Sequence, residues 1–133
     1  MTPTKYNAKD WSLILNNNYY ITGFDEDMFT FEKDEANGEY VYGACGDAMF
    51  NETNNTLHTL TITLQPTSPS NRVLIDLNNS KEEFSVYGIN KALGRRLGGE
   101  YARVTEAPSI EAAAEGNPME YTIQVADGRI ENI

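Results

Sequence analysis

Hydrophobic and polar residues alternate along several stretches of this chain, which is the pattern of a β-strand with one buried face and one wet face. In the stretch 58–64 the apolar face carries His58, Leu60, Ile62 and Leu64, and the polar face carries Thr59, Thr61 and Thr63. In the stretch 119–125 the polar positions are Glu120, Thr122 and Gln124. Because β-branched residues are frequent in the first stretch, it is the strongest strand prediction in the chain.

Shorter alternations predict further strands. Trp11, Leu13 and Leu15 alternate with other residues before an asparagine run at 16–18, and the pattern resumes at Tyr19. Asparagine tolerates the positive φ of tight turns, so this segment is predicted to be a β-hairpin. Three more strands are predicted at 29–32, 84–89 and 100–105.

Three segments between these strands lack alternation and are expected to be connections. The acidic run 25–27 predicts a solvated turn. The basic, glycine-rich stretch 91–99 predicts a flexible link with two exposed arginines, and the small, polar residues of 107–118 predict a loop.

One helix is predicted, at about 69–78. Pro66 has no amide donor and ends the preceding strand, while Ser68 places a capping hydroxyl before Pro69 at the first helical position. Apolar residues then recur at helical spacing and are expected to face the core: Val73, Leu74 and Leu77.

The segment at about 36–56 has no period and is predicted to be a long hairpin arm outside the core. The whole chain, 1–133, is then a single, mainly β domain. Its expected architecture is a barrel or sandwich of about seven strands with one short helix packed beside it.

Composition narrows the possible functions. Twenty acidic residues against ten basic ones give a formal charge of −10, and such a surface repels nucleic acid and anionic membranes. No apolar run approaches the ~20 residues of a membrane span, so no membrane anchor is expected. A single cysteine excludes an internal disulfide and is typical of a protein kept in a reducing cytoplasm.

The residues that usually carry catalysis or metal binding are scarce. His58 is the only histidine and lies on the apolar side of its predicted strand, as a packed or interface histidine does. Cys45 has no basic neighbour in sequence to activate its thiol. We therefore predict no catalytic residue, no metal site and no cofactor, and hence no enzyme.

Three segments resemble the tail-tube protein family of contractile-tailed bacteriophages. Residues 46–71 match a polar arm that leads through a threonine-rich strand into a "TSPSN" helix start, although Met49 and Phe50 stand where polar or basic residues are usual. Residues 106–127 match the closing strand and its final Ala-Asp, which falls on Asp127. Residues 6–24 match the opening hairpin.

This resemblance implies a structural subunit that forms homo-hexameric rings stacked into a tube. It implies a sheath outside, a baseplate and a tail terminator at the ends, and DNA that passes through an acidic lumen without specific binding. It places the protein in the virion tail, assembled in the host bacterial cytoplasm. The implied ring-stacking residues are Tyr40, Tyr42, Asp47, Met49, Phe50 and Asn51. The implied lumen-facing residues are Thr59, Thr61 and Thr63, or Glu120, Thr122 and Gln124.

Two other functions stay open from the sequence. One is a tube subunit of a phage-like bacterial contractile injection device, which the sequence does not distinguish from a phage tail. The other is a small β-barrel binding module, which would be a stable monomer with an apolar cavity.

Overall fold

The computed structural model describes residues 1–133 and contains ten strands and one α-helix. The strands are β1 (Trp11–Leu15), β2 (Tyr19–Tyr20), β3 (Phe24–Lys33), β4 (Gly38–Tyr42), β5 (Ala48–Glu52), β6 (His58–Leu64), β7 (Phe84–Asn90), β8 (Arg95–Glu106), β9 (Met119–Val125) and β10 (Arg129–Asn132). The helix is α1 (Ser70–Ser80), and a 3-10 turn at Ala8–Asp10 precedes β1. The predicted mainly β architecture, with one helix and a separate hairpin, is confirmed.

Eight strands form one antiparallel sheet in the order β2-β1-β7-β8-β9-β6-β3, with β10 also paired to β8. The strands at the two ends of this order, β2 and β3, are joined by only residues 21–23. That link reaches about 14 Å, whereas the edges of a flat seven-stranded sheet lie about 29 Å apart. The sheet must therefore curl back on itself, and the rings of Trp11 and Phe29 meet across the gap at 5.4 Å.

Strand β8 is shared between the two layers of the curled sheet. Its first half pairs with β7 and β10, and its second half pairs with β9. Between the halves, Gly98 has a φ of +122° and a Cβ there would overlap the Val86 carbonyl oxygen. The first layer is thus β2-β1-β7-β8-β10, and the second layer is β8-β9-β6-β3.

The core fills the space between these layers. Leu13, Leu15 and Val86 from the first layer pack with residues of the second layer, and all are at most 1% exposed. The second layer contributes Leu60, Ile62, Leu64, Tyr121, Ile123 and Val125. Each fully buried aliphatic side chain contributes about 1.5–3 kcal/mol. The alternation predicted for β6 is therefore present in the structure, since every second residue of that strand is buried.

Helix α1 begins as the sequence predicts. Pro69 already has helical dihedrals, and the Ser70 amide donates to Ser68 Oγ at 3.2 Å, so Ser68 caps the first turn. Leu74 is fully buried, while Val73 and Leu77 are half-buried against the core. The helix therefore covers the core with the three apolar positions facing inward.

Polar contacts fix this helix as well, and the sequence pattern did not indicate them. The Tyr121 hydroxyl donates to Asn71 Oδ1 at 2.9 Å, and Asn71 Nδ2 donates to the Gln65 carbonyl oxygen at 2.9 Å. The Thr22 amide donates to Ser70 Oγ at 3.0 Å. Since the side chains of Ser70, Asn71 and Tyr121 are buried and paired, the first turn of α1 is held against β9 and the β2–β3 link.

Two predicted connections are wrong. Residues 25–27 lie inside β3, where the register shifts between Phe24 and Phe29, so the acidic run belongs to an irregular edge strand. Of the predicted link 91–99, only 91–94 form a turn, and the rest is strand β8 with Leu97 and two glycines buried. Strand β10 is a further element that the pattern did not predict. The strand count therefore rises from about seven to ten.

The opening hairpin is confirmed. Leu15 pairs with Tyr19, and Asn16 and Asn17 have φ of 50° and 59° between them. Asparagine adopts these positive values more readily than other non-glycine residues, which explains the asparagine run.

Candidate functional site

The outward side of the second layer is a continuous polar surface, which we call the wet face. It carries Thr59, Thr61 and Thr63 of β6 and Glu120, Thr122 and Gln124 of β9. Register pairs these residues directly, Thr61 with Thr122 for example, so their side chains are neighbours on one side of the sheet. The three threonines are half-exposed, whereas the alternate residues of β6 are buried.

The wet face extends onto the flanking strands and is acidic. Glu32 of β3 pairs with Thr59, and Glu106 of β8 pairs with Thr122. The one cation added by these pairings is Arg103, whose guanidinium lies 3.7 Å from the Glu83 carboxylate. Carboxylates therefore dominate the charge of this surface.

Both edges of the second layer are open. Strand β3 pairs only with β6, so its outer edge has free backbone donors and acceptors. At the opposite edge, β7 accompanies β8 only as far as Ala102, which leaves 104–106 without a neighbour on that side. The four strands β8, β9, β6 and β3 alternate in direction. Open edges of this kind invite pairing with another chain.

Strands β4 and β5 form a two-stranded sheet of their own, which we call the arm. Tyr40 and Phe50 pair across it with ring centroids 4.9 Å apart, and Val41 pairs with Met49 on the other face. The exposed fractions are 67% for Tyr40, 70% for Tyr42, 59% for Met49 and 42% for Phe50.

The two remaining predicted arm residues are also exposed. Asp47 lies in the loop between β4 and β5, where its carbonyl oxygen accepts a hydrogen bond from Gly43. Asn51 pairs with Glu39. Because an isolated hairpin is only marginally stable and this one is apolar on both faces, the arm is suited to being buried against a partner.

The largest surface recess, of about 600 Å³, lies at the open edge of β3. Its walls combine the aromatic rings of Trp11, Phe29 and Phe31 with polar groups of Glu26 and Glu120. The recess is open to solvent and reaches Thr61, Thr63 and Glu120 of the wet face, while the space between the two layers is filled by core side chains.

Asp127 ties together the corner where β8 bends. Its carboxylate accepts hydrogen bonds from the amides of Glu100 and Tyr101, each at 3.0 Å through Oδ1. Burial raises the pKa of this carboxyl, but the amides of Tyr101 and Glu100 and the charge of Arg129 outweigh burial and hold the pKa below its ordinary value. The Ala-Asp-Gly sequence after β9 marks the position of this carboxylate, but it does not indicate which backbone amides donate to it.

His58 and Tyr121 are buried, whereas Cys45 is exposed. His58 is buried, stacks on Phe31 at 4.7 Å, and its Nδ1 lies 2.8 Å from the Thr56 carbonyl oxygen. Burial raises the pKa of Tyr121 to about 12. Cys45 is exposed in the arm loop. No three His, Cys, Asp or Glu side chains converge as metal ligands, and no helix has the length and apolarity to cross a bilayer.

The chain resembles known proteins in its structure but not in its sequence. No protein-family model matches the sequence. No curated protein matches it at a significant level. Solved structures resemble the chain over nearly its whole length, at identities that bear on the fold alone.

A chain in the cryo-EM structure of the anti-feeding prophage tube-terminating cap has a TM-score of 0.70 and 10% identity, covering 100% of this chain and 95% of that one. A chain in the virion of a native gene transfer agent has a TM-score of 0.67 and 12% identity, covering 97% and 99%. A chain in the extended sheath–tube complex of the extracellular contractile injection system PVC has a TM-score of 0.65 and 14% identity, covering 97% and 93%. Over nearly its whole length the chain therefore shares the fold of these chains from phage-like particles and a contractile injection system.

Proposed function

We propose that this protein is the structural subunit of a phage tail tube, which stacks as homo-hexameric rings around an acidic lumen that conducts DNA during ejection. The observation that carries the proposal is the second layer: four strands, open at both edges and polar on the outward face. Its role is structural rather than enzymatic.

The open edges suit closure into a ring. Because the layer has an even number of alternating strands, β3 of one copy meets β8 of the next copy in antiparallel orientation, and the alternation continues around any closed ring. Six copies would make a barrel of about 24 strands, more than the 16–18 that already enclose an aqueous channel in porins.

The wet face suits the lining of the lumen. In a ring, each carboxylate of this face, such as Glu32 or Glu120, repeats in every copy and forms a ring of negative charge. Duplex DNA carries about one negative charge per 1.7 Å and is repelled by such a wall, so it passes without binding. The apolar arm, exposed on both faces, then contacts the adjacent ring.

The outer partners follow from the same arrangement. The helix lies on the core side of the second layer, away from the lumen, and its exposed face with Arg72 and Asp76 is available to a sheath. A baseplate and a terminator would contact the two ends of the tube. The subunit would be assembled in the host bacterial cytoplasm and end in the virion tail.

A second candidate is a tube subunit of a phage-like contractile injection device, and the likeness to chains of two such systems favours it. DNA content separates the two candidates. Particles purified from producing cells contain DNA in the first case, and no packaged DNA in the second.

Charge reversal in the lumen tests the conduction proposal. Tubes of the double variant Glu32→Lys/Glu120→Lys, assembled in the presence of short duplex DNA, are expected to hold DNA that resists nuclease, because the wall now attracts phosphate. Wild-type tubes are expected to protect none.

The matched control is Asp76→Lys/Glu82→Lys, which makes the same charge change at exposed positions off the wet face. This control is expected to leave nuclease digestion complete. Equal protection by the control, or none by the lumen variant, would contradict a wet face that lines the bore.

A further inference from the structure

Cations concentrate around the turn between β7 and β8. Lys91 begins that turn, Arg95 and Arg96 begin β8, and Leu93 at its tip is 40% exposed. Arg129 joins them from β10, where it pairs with Gly98. Four of the chain's ten lysines and arginines thus lie in one region. We use the name basic turn for four residues of this region, Lys91, Leu93, Arg95 and Arg96.

The cations of the basic turn have no internal ion pair. The two salt bridges in the structure are Arg103 with Glu83 and Arg129 with Glu131. Arg96 instead lies over the Tyr87 ring, 4.5 Å from its centroid. Arg96 also has Glu131 directly opposite it in the β8–β10 ladder, so Lys91 and Arg95, which are exposed and without an ion pair, are the cations available to an anionic partner.

The arm and its flanks have the complementary composition. Residues 34–56 contain five carboxylates and no lysine or arginine. The carboxylates, all exposed, are Asp34, Glu35, Glu39, Asp47 and Glu52. Between them stand exposed tyrosines and Phe50, whose rings offer faces on which a guanidinium can stack.

We propose that the basic turn of one copy receives the acidic, aromatic arm of a second copy. Lys91 and Arg95 would pair with arm carboxylates, Arg95 would also stack on arm rings, and Leu93 would pack against the apolar side chains. A hairpin of five residue pairs extends about 17 Å, enough to reach from one copy into another. This inference rests on the proposed function, because it names the surface that the stacking arm meets.

The contact has a consequence for assembly. Arm and basic turn are different surfaces of the same chain, so the contact is heterologous, and each added copy presents a fresh arm and a fresh turn. Such a contact continues as an open stack, as growth of a tube requires. Because unlike charges carry part of it, high salt is expected to weaken stacking.

Charge exchange between two variants tests this pairing. Variant one is Lys91→Glu/Arg95→Glu, and variant two is Glu39→Lys/Glu52→Lys. In each variant alone like charges face one another, so the concentration needed for sedimentable polymers is expected to rise more than about tenfold. In an equal mixture each turn meets an arm of opposite charge, and polymers are expected to return.

The control Lys5→Glu/Arg72→Glu makes the same charge change at exposed positions outside the turn and is expected to polymerise like wild type. Circular dichroism checks that every variant is folded. If wild type polymerises and variant one does so equally well, or if the mixture fails to restore polymers, the pairing is overturned and the tube proposal survives. If folded wild type forms no polymer under any condition, both are overturned.

Discussion

At the scale of single residues, Asp127 shows how one side chain stabilises the bend between the two layers. Strand β8 has an extra residue between its pairings with Val86 and Phe84, and this bulge leaves the amides of Glu100 and Tyr101 outside the β7–β8 ladder. The Asp127 carboxylate accepts from both amides. Its charged form is favoured in the folded state, which is why its pKa is lowered.

The variant Asp127→Ala is expected to lower the free energy of unfolding by about 1–3 kcal/mol at neutral pH, since hydrogen bonds to a charged group are lost. A group with a depressed folded pKa contributes its stability above the unfolded pKa, about 3.9, and loses it as pH falls through the folded value. The difference between wild type and variant should therefore be full at pH 6 and shrink below about pH 4.

Urea unfolding at several pH values measures that difference. Glu111→Ala, an exposed loop carboxylate, is the control and should have little effect at any pH. A difference for Asp127→Ala that stays constant down to pH 2 would contradict the role of the charge.

Hydrophobic alternation predicts the burial of some residues and not of others. Alternation identified the inward side chains of β6 correctly, because burial and polarity change together along that strand. It could not identify Asn71, a buried polar residue, because its burial depends on the Tyr121 hydroxyl, 50 positions away. Nor could it indicate that Gly98 lies inside a strand, because glycine has no side chain to alternate.

At the scale of elements, the arm adds little to the fold of the chain, and we propose that it serves assembly instead. Its side chains are exposed on both faces, and the core cluster contains none of them. The double variant Tyr40→Ser/Phe50→Ser is therefore expected to unfold at the same temperature as the wild-type monomer, yet to form no polymers. Thermal unfolding and sedimentation measure the two effects.

Ile110→Ser is the control for that experiment. Ile110 is 80% exposed in the loop before β9, so its loss removes apolar surface away from the arm. Polymerisation should persist in this variant. Normal polymers from the arm variant would show that the arm is an ordinary surface hairpin.

The elements differ in how well the sequence predicts them. Strands β1, β6 and β9 each have one buried face and follow from alternation, and α1 follows from its Ser68-Pro69 start. The sequence pattern breaks strand β8 at its glycines, because this strand belongs to both layers and bends between them. Strand β10 has exposed or half-exposed residues throughout, so no hydrophobic period marks it.

At the scale of the whole molecule, the fold of the single chain leaves several surfaces without a partner. The second layer has two open edges, an acidic wet face opposite a dry core, and a neighbouring arm with no partner of its own. Alternation along β6 and β9 predicts that one face is polar, but whether that face meets bulk solvent or a lumen depends on other copies of the chain. The role of these surfaces therefore depends on whether and how copies of the chain assemble.

Cryo-electron microscopy of the purified, polymerised protein tests the central claim most directly. The expected result is a hollow tube of stacked six-fold rings, with β3 of each copy paired to β8 of the next, and Thr61 and Glu120 facing the bore. A folded protein that stays monomeric at high concentration, or a polymer with the wet face on its outer surface, would contradict it.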